Sequence, residues 1–422
     1  MIKQNRSKLK LDRVGGFKTI LVAGAVLALM TGTSMAASKV LIAGGVDGSG
    51  NYLTSAELYG IFSGSFSSTG SMHSPHLYGS ITVLNDGTVL VAGGDDKSGS
   101  TTAAEIYQPS TGEWSTVGPL NVSRDMDTAV LLSSPNPKIN GQVLVCGGTT
   151  YVAKTGSETY LKSCEVYNPT TQGFTLVTKK MKEARAGLTG NLLGDGTVLL
   201  AGGNETGNHG TAEIFTPASS GPVAGSFEHT NGHMKDYREF ATGTNLNGLF
   251  DPHDGQVLIA GGDNGGVTGP LAVLATAERY NPTTGHFTAT SGNMNSAREY
   301  DTANELPALL YPDEVLIAGG VDNTSNSVIT ADLYSSSSDT FSLTAGDLSS
   351  GGLDSQAAVT LPFGLFAIRQ NVLIAGGENL SDGGTVSDPV DTSLIYNHIS
   401  TDFSPSGNMS TVRNAPLGAL VN

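Results

Sequence analysis

The stretch Val257-Leu258-Ile259-Ala260-Gly261-Gly262 decides the fold, because the chain contains seven near copies of it at intervals of 49 to 59 residues. Each copy is a run of β-branched and aliphatic residues that ends in a glycine pair. This pattern predicts a buried strand followed by two residues that are free to take positive φ. Repetition at such a period is typical of repeat architectures with one continuous core. The valines of the seven copies are Val40, Val89, Val143, Val198, Val257, Val315 and Val372.

The N-terminal segment, residues 1–36, has the composition of a secretory signal peptide. Six basic residues precede or flank the start of an apolar run from Ile20 to Met30, and small residues lead to a cleavage site after Ala36 or Ala37. An uncleaved membrane anchor is the alternative, but a run of this length is well short of the roughly 20 residues needed to span a bilayer. We therefore expect residues 37–422 to be one exported domain without a membrane span, located in the periplasm, on the cell surface or outside the cell.

The mature chain is strongly acidic. The full sequence has 22 Lys and Arg residues against 38 Asp and Glu residues. Residues 1–36 hold six of the basic residues and one of the acidic ones, which leaves 16 against 37 and a net charge of −21. A surface with this balance repels polyphosphate, so we expect no nucleic-acid partner.

Each repeat predicts four strands, named A to D here. Strand A opens four residues after a Met or Leu, as after Met181 and Met294, and Asp-Gly turns such as Asp86-Gly87 lead from it into strand B, the valine run. Strand C carries a motif of the type Ala56-Glu57-Leu58-Tyr59. Strand D starts on an aromatic residue that follows the strand C aromatic by seven positions in six of the seven repeats. Such a unit buries both of its faces only by stacking on its neighbours, which favours blades around an axis.

These motifs resemble the kelch repeat in its bacterial, galactose-oxidase-like form, over essentially all of residues 38–422. The resemblance implies an all-β fold, a seven-bladed kelch-type β-propeller, and proteins with this fold include ligand-binding modules, oxidases and sugar mutarotases. After its signal the chain starts at a strand B, and after Met409 it ends on a strand A. We therefore expect the C-terminal strand to pair within the N-terminal blade and to close the ring.

Two positions of the repeat are charged. The residue four after the Met or Leu is an arginine in five repeats, and strand C carries an acid in six. The glycine pair of the intervening strand B has no side chains, so a guanidinium group can cross it to reach the carboxylate. We expect structural Arg–acid pairs, and the alternative is a ring of arginines that binds an anion at the channel mouth. The expected pairs are Arg413 with Glu57, Arg124 with Glu165, Arg185 with Glu213, Arg238 with Glu278 and Arg298 with Asp332; His76 and Gly352 take the arginine position elsewhere, and Leu394 replaces the acid in the repeat of Gly352.

The two faces of the predicted propeller differ in their connections. The A–B and C–D turns are short and alike, whereas the B–C and D–A loops are long and variable, so we expect a ligand on the face of the B–C and D–A loops, the loop face. Carboxylates with a tyrosine and an arginine nearby suit acid–base chemistry on a sugar, although they are equally typical of solvated groups in a wet channel. The candidate ligand-binding residues are Asp125, Asp127, Glu239, Glu299, Tyr300, Asp301 and His76.

Metal signals in the sequence are weak, so we expect no metal or other cofactor. The pairs His73 with His76 and His229 with His233 lack a third ligand in register. Acids after the glycine pairs can ligate calcium, but in glycine-rich loops they usually form turns. These acids are Asp47, Asp95, Asp96 and Asp263.

The two cysteines, Cys146 and Cys164, occupy strand B and strand C positions that are both alanine in five other repeats. Two facing small residues have thus become two cysteines in one repeat. In an exported protein this predicts a disulfide across neighbouring strands.

The sequence favours an exported binding or scaffolding module for a protein or glycan ligand over an enzyme, and it leaves open whether the protein catalyses a reaction. The alternative is a carbohydrate-active enzyme, mutarotase-like or oxidase-like, with its site at the channel mouth. A cluster of mismatched pKa values in the channel would favour the enzyme. A purely structural repeat protein is the third option.

Overall fold

A computed structural model describes residues 38–203, 210–248, 251–266, 271–306, 314–348, 352–362, 370–381 and 386–422. Residues 38–422 form one compact unit. Over the described ranges the secondary structure is β-strand, and no helix there is long and apolar enough to cross a membrane. Residues 1–37 lie outside the described residues, so the signal peptide stays a prediction.

Seven four-stranded antiparallel sheets form the blades, and each has the spatial order A-B-C-D. Strand A, from blade 1 to blade 7, is Leu417–Val421, Ser80–Val83, Thr128–Leu131, Thr189–Leu192, Thr242–Asn245, Thr302–Leu306 and Ala357–Thr360. Strand B, in the same order, is Lys39–Ala43, Val89–Ala92, Val143–Cys146, Val198–Ala201, Val257–Ala260, Glu314–Ala318 and Val372–Ala375. The prediction of a seven-bladed all-β propeller is confirmed.

The outer two strands complete each blade. Strand C, from blade 1 to blade 7, is Ala56–Gly60, Ala104–Gln108, Cys164–Asn168, Ala212–Ala218, Ala277–Asn281, Ala331–Ser335 and Ser393–Asn397. Strand D, in the same order, is Ser65–Ser68, Glu113–Thr116, Gly173–Leu176, Gly221–His229, His286–Ala289, Thr340–Leu343 and Asp402–Pro405.

The ring of blades is closed by the C-terminal strand. Leu417–Val421 pairs antiparallel with Lys39–Ala43, with Val40 opposite Leu420, so blade 1 combines the two ends of the described chain. Each strand A contacts the strand A of both neighbouring blades, all the way around the ring. Strand A is therefore the innermost strand, and its N-terminal end marks the channel mouth on the loop face.

Strand B is buried on both of its faces. Val257 and Ile259 pack into an apolar cluster with blade 4, whereas Leu258 and Ala260 pack into a second cluster with blade 6. Because the side chains of a strand alternate, a sheet between two blades needs apolar residues at every strand B position. This explains why the repeated stretch is a continuous aliphatic run and does not alternate with polar residues.

The aromatic residues of strands C and D face each other in every blade. Tyr59 lies directly opposite Phe66, with ring centroids 5.0 Å apart, and blade 4 keeps the same arrangement between Phe215 and Phe227. The longer spacing in blade 4 comes from an extended hairpin, since its strands C and D have 7 and 9 residues. The wider sequence spacing thus leaves the packing of the blade unchanged.

Two predicted strand boundaries were wrong. Strand D begins one residue before its aromatic residue in six blades, as at Ser65 before Phe66. Strand A begins four residues after the arginine position and not at it, as at Thr128 after Arg124. Between the arginine position and strand A the backbone contains a residue with positive φ, such as Met126, which interrupts extended structure.

The glycine pair is required by the approach of the next blade. In the pair Gly261-Gly262 both residues have positive φ, and the N–H of Gly262 donates to the carbonyl oxygen of Arg298 in blade 6 at 2.8 Å. A Cβ atom at Gly261 would stand 2.6 Å from that same oxygen. Any larger residue would therefore clash with backbone as well as being strained.

The predicted disulfide is confirmed. Cys146 and Cys164 are directly opposite each other on strands B and C of blade 3, and their sulfur atoms are bonded at 2.05 Å. Both residues are fully buried.

Two additional hairpins stand on the loop face. The first, Thr149–Val152 with Ser157–Tyr160, follows the glycine pair of blade 3, and the second, Glu378–Ser381 with Val386–Pro389, follows that of blade 7. Each bonds to the B–C loop of the preceding blade; Ser100 N–H donates to Tyr151 in the first case. The repeat pattern alone did not predict these hairpins.

Candidate ligand-binding site at the channel mouth

The arginines of the repeat are buried inside the blades. Arg298 has no exposed surface; its Nη1 donates to the carbonyl oxygens of Gly319 and Thr330, and its Nη2 lies 2.7 Å from Asp332. The remaining oxygen of Asp332 accepts the N–H of Asn295 at 2.9 Å. The same arrangement recurs between Arg124 and Glu165, Arg185 and Glu213, Arg238 and Glu278, and Arg413 and Glu57, at 3.0 to 3.4 Å. The guanidinium groups thus cross strand B at the glycine pair, and no ring of arginines lines the mouth.

His76 takes the arginine position of blade 2 and has the same structural role. It is 1% exposed, its Nδ1 is 2.6 Å from the carbonyl oxygen of Gly93, and its Nε2 is 3.3 Å from Glu105. Burial opposes ionisation of Glu105, but hydrogen bonds from His76 and His73 lower its pKa to about 2. His76 therefore holds the blade together and is not available to a ligand at the surface.

Blade 7 replaces the ion pair with two leucines. Its strand A begins at Ala357, so the arginine position is Leu353 and not Gly352, because the preceding loop is one residue longer. Leu353 and Leu394 are both buried and belong to one apolar cluster. In blade 7 both members of the ion pair are thus replaced together, by two apolar side chains that pack in the same cluster.

A ring of left-handed residues surrounds the channel mouth. The residue two after the arginine position has φ between 49° and 61° in all seven blades, although only one of the seven is glycine. Non-glycine residues rarely adopt this conformation, and such strain concentrates at functional sites. The seven are Tyr78, Met126, Gly187, Phe240, Tyr300, Ser355 and Ala415.

Three of these residues are aromatic and lie close together. The rings of Phe240 and Tyr300 are stacked, with centroids 4.5 Å apart and planes 29° apart. Both line a cavity of about 240 Å³ at the channel, together with Tyr78 and Met126. Burial raises the pKa of Tyr78 to about 12, with a further contribution from the charges of Glu378 and Asp354. The mouth thus presents aromatic surfaces in a partly buried setting.

A group of carboxyl residues lies near this cavity, close enough that, besides burial, its charges raise the pKa of Tyr300. Glu239, Asp263 and Glu299, the mouth cluster, lie together because Asp263 bonds to Glu239 through paired backbone hydrogen bonds and to Glu299 through its side chain. The pKa of Glu299 is raised to about 8, mainly by burial and further by the hydrogen bond with Asp263 and the charges of Asp263, Asp301 and Glu239. Burial also raises the pKa of Glu239, although a hydrogen bond from the Tyr237 hydroxyl opposes this. Glu299 therefore holds a proton near neutral pH as long as no positive charge lies beside it, because a neighbouring cation favours the ionised carboxylate.

Three more acids at the mouth have raised pKa values. Burial raises the pKa of Asp127 to about 7 and that of Asp301 to about 7, against the nearby guanidinium groups of Arg124 and Arg298. Asp125 is 4% exposed, accepts a hydrogen bond from the Thr149 hydroxyl, and also has a raised pKa because of burial. All the carboxylates named as candidates from the sequence thus lie near the mouth.

The acids considered for calcium form turns in the structure. Asp47 Oδ1 accepts the N–H groups of Ser49 and Asn51, and Asp96 Oδ1 accepts that of Ser98. Within the described ranges no three His, Cys, Asp or Glu side chains are grouped so that they could hold a metal ion.

Comparison with known families identifies the repeat. The model described as Kelch motif matches residues 82–121, from strand A past strand D of blade 2. The chain is a kelch-type β-propeller. The solved structure titled "Structure of YjhT" has a similar fold, with a TM-score of 0.51, 12% identity, and coverage of 72% of this chain and 96% of that one. At this identity the kelch propeller shares the fold alone, and no curated protein matches it.

Sequence reasoning missed Tyr78, Phe240 and Met126 as neighbours of Tyr300 at the mouth. The signal was present, because all four occupy the same place, two residues after the arginine position. Only Tyr300 was selected from the sequence, since it lay between two acids. Aligning the repeats on the arginine and scanning that position would have identified the aromatic residues.

Proposed function

We propose that this kelch propeller is an exported binding module whose ligand, a protein or a glycan, binds at the channel mouth on the loop face. The observation that carries the proposal is the mouth itself, where strained aromatic residues adjoin partly buried carboxyl groups. Binding sites combine apolar surface with a few fixed polar groups, and aromatic residues supply most of the binding energy.

The contrast between the faces supports this location. The turns of the opposite face are short and similar, as at Asp195-Gly196 and Asp254-Gly255, where Asp195 Oδ1 accepts the N–H and hydroxyl of Thr197. The loop face carries two additional hairpins and varies from blade to blade. A surface that differs between blades can discriminate between ligands, whereas a repeated turn cannot.

The test is a screen of residues 38–422 against glycan and protein libraries, followed by alanine substitutions at Glu239, Glu299 and Tyr300. Each substitution is expected to weaken binding by about 1 kcal/mol, a typical effect of truncating a contact residue. The melting temperature is expected to change little, and matched alanine substitutions at Asp195 and Asp254 are expected to leave binding intact. If binding survives the substitutions at Glu239, Glu299 and Tyr300 and is lost with those at Asp195 and Asp254, the ligand binds on the opposite face, which carries the A–B and C–D turns.

Export is a second part of the proposal. The basic and apolar pattern of residues 1–36 supports it, and the buried disulfide between Cys146 and Cys164 is typical of proteins from oxidising compartments. Expression of the full chain, fractionation and N-terminal sequencing are expected to yield an exported protein that begins at Ala37 or Ser38. A protein that stays in the cytoplasm with residues 1–36 attached would contradict export.

A carbohydrate-active enzyme is the second candidate, because one observation favours it. Glu299 shares a hydrogen bond with Asp263 and has a pKa of about 8, next to Tyr300, whose pKa is also raised by burial and by the charge of Glu299. Such a pair suits proton transfer to and from a sugar near neutral pH. A copper site with a cysteine–tyrosine cross-link is not available, since both cysteines are bonded to each other.

The enzyme is tested by following the anomeric ratio and the oxidation of reducing sugars by NMR. Catalysis by this pair requires that Glu299→Gln abolish turnover and that turnover depend on pH near 8. If no sugar in the panel is converted faster than in buffer while a ligand still binds, the enzyme proposal is contradicted and only the binding module remains.

A further inference from the structure

The mouth cluster concentrates negative charge beside a channel. Glu239, Asp263 and Glu299 are contiguous, and the charges of Asp263, Asp301 and Glu239 all act to disfavour ionisation of Glu299. The arginines nearest to the mouth, such as Arg298, are committed to carboxylates of strand C inside the blades. A bound cation would relieve this repulsion, whereas a neutral ligand would leave it in place.

The aromatic residues line the same space. Phe240, Tyr300 and Tyr78 line the cavity, the first two are stacked, and the charges of the mouth cluster act on Tyr300. The face of an aromatic ring carries negative potential and attracts organic cations, most strongly where water is excluded. Aromatic faces bind ammonium groups well but contribute little to the coordination of a metal ion.

Asp301 supplies an independent indication of a ligand. It is 8% exposed and lines the cavity with Phe240 and Tyr300. Its Oδ1 is fully buried and has no hydrogen-bond partner within the described part of the chain, and its Oδ2 accepts a hydrogen bond from the Thr242 hydroxyl at 3.4 Å. A buried carboxylate oxygen without a donor is costly and calls for a partner.

We propose that the channel mouth binds an organic ammonium group, with Glu239, Glu299 and Asp301 as the anionic contacts and Phe240, Tyr300 and Tyr78 as the aromatic faces. This rests on the proposed binding function and specifies its ligand chemistry. The cavity of about 240 Å³ is smaller than the roughly 300–1,000 Å³ of sites that enclose a drug-sized ligand, so it suits one terminal group. A lysine side chain of a partner protein and a free alkylamine both supply that group.

The experiment is calorimetry of residues 38–422 with n-butylammonium and tetramethylammonium, and with 1-butanol as the neutral probe. A short peptide with a central lysine and the same peptide acetylated on Nε separate the two sources. We expect the cations to bind more weakly as salt rises and 1-butanol not to bind. Free amines that bind as well as the lysine peptide indicate a small-molecule ligand. A lysine peptide that binds more tightly than both the free amines and its acetylated form indicates a protein ligand.

The matched variants are Glu299→Gln and Tyr300→Ala, with Glu113→Gln as a control that makes the same substitution on an exposed strand D. Glu299→Gln and Tyr300→Ala are each expected to weaken cation binding by about tenfold, and the control by less than about twofold. Alanine already occupies the equivalent left-handed position at Ala415, and a melting curve verifies that Tyr300→Ala is folded.

Failure of this inference is distinct from failure of the proposed function. If a ligand from the glycan or protein screen binds the mouth, is weakened by Glu299→Gln and Tyr300→Ala, and is not displaced by any cation, the ammonium proposal is overturned and the binding module stands. Equal effects of Glu299→Gln and Glu113→Gln on cation binding, with no effect of Tyr300→Ala, would reduce the binding to attraction by the net charge and would overturn the proposal as well.

Discussion

At the scale of the residue, the Arg–acid pair shows how a buried charge is compensated within one blade. Arg298 is satisfied by Gly319, Thr330 and Asp332, and Asp332 in turn fixes the loop at Asn295. Removal of one partner leaves the other buried without compensation, which is far more costly than removal of both. Blade 7, with leucines at both positions, is the natural example of the second case.

This comparison gives a prediction for Arg298→Leu. The single variant is expected to lose about 3–5 kcal/mol of unfolding free energy, because Asp332 becomes an uncompensated buried charge. The double variant Arg298→Leu with Asp332→Leu is expected to recover at least half of that loss. Denaturant unfolding measures both, and a double variant as unstable as the single one would contradict the explanation.

A second prediction concerns Asp127, whose pKa is raised to about 7 mainly by burial. The folded protein binds this proton more tightly than the unfolded chain, so unfolding free energy falls as pH rises from about 4 to 7 and is then level. Asp127→Asn removes this titration. The unfolding free energy of the variant minus that of the parent is therefore expected to be larger at pH 8 than at pH 5 by at least about 1 kcal/mol. Glu113→Gln, on an exposed strand, is the control, and equal pH profiles for Asp127→Asn and the parent would refute the account.

At the scale of the element, the blade is a repeated register with local substitutions. The positions of Cys146 and Cys164 correspond to Ala43 and Ala56, which are also directly opposite each other. Replacement of both cysteines by alanine therefore restores the side chains of five other blades and isolates the effect of the cross-link.

The prediction is that Cys146→Ala with Cys164→Ala lowers the unfolding free energy by about 3 kcal/mol, the value for a loop of this size. Thiol titration of the non-reduced parent is expected to detect no free thiol. A double variant as stable as the parent would show that the disulfide adds nothing to a blade that already packs well.

At the scale of the whole molecule, closure of the ring protects the strand edges. Leu417–Val421 covers Lys39–Ala43, and Arg413 joins Glu57 at 3.2 Å, so both ends of the described chain are held in one blade. An uncovered strand B would present a long apolar edge to other molecules.

Deletion of residues 409–422 is therefore expected to abolish cooperative unfolding or to cause aggregation. Calorimetry and light scattering measure the two outcomes. The substitution Arg413→Leu in the full chain, which weakens the joint without removing the strand, is the milder comparison. A truncated protein that melts like the parent would disprove closure by the C-terminal strand.

The sequence by itself determined the number of blades, the order of strands, the closure and the cysteine pair. These features depend on contacts within one blade or between consecutive blades, which a repeating register encodes directly. The tertiary structure decided the site. Phe240 and Tyr300 belong to blades 5 and 6 and Tyr78 to blade 2, and they meet only because equivalent positions of all blades converge at the axis. A linear pattern states which residues are equivalent, but their distance from the axis, the left-handed bend that turns them inward and the burial that raises the pKa of Glu299 exist only in the closed ring.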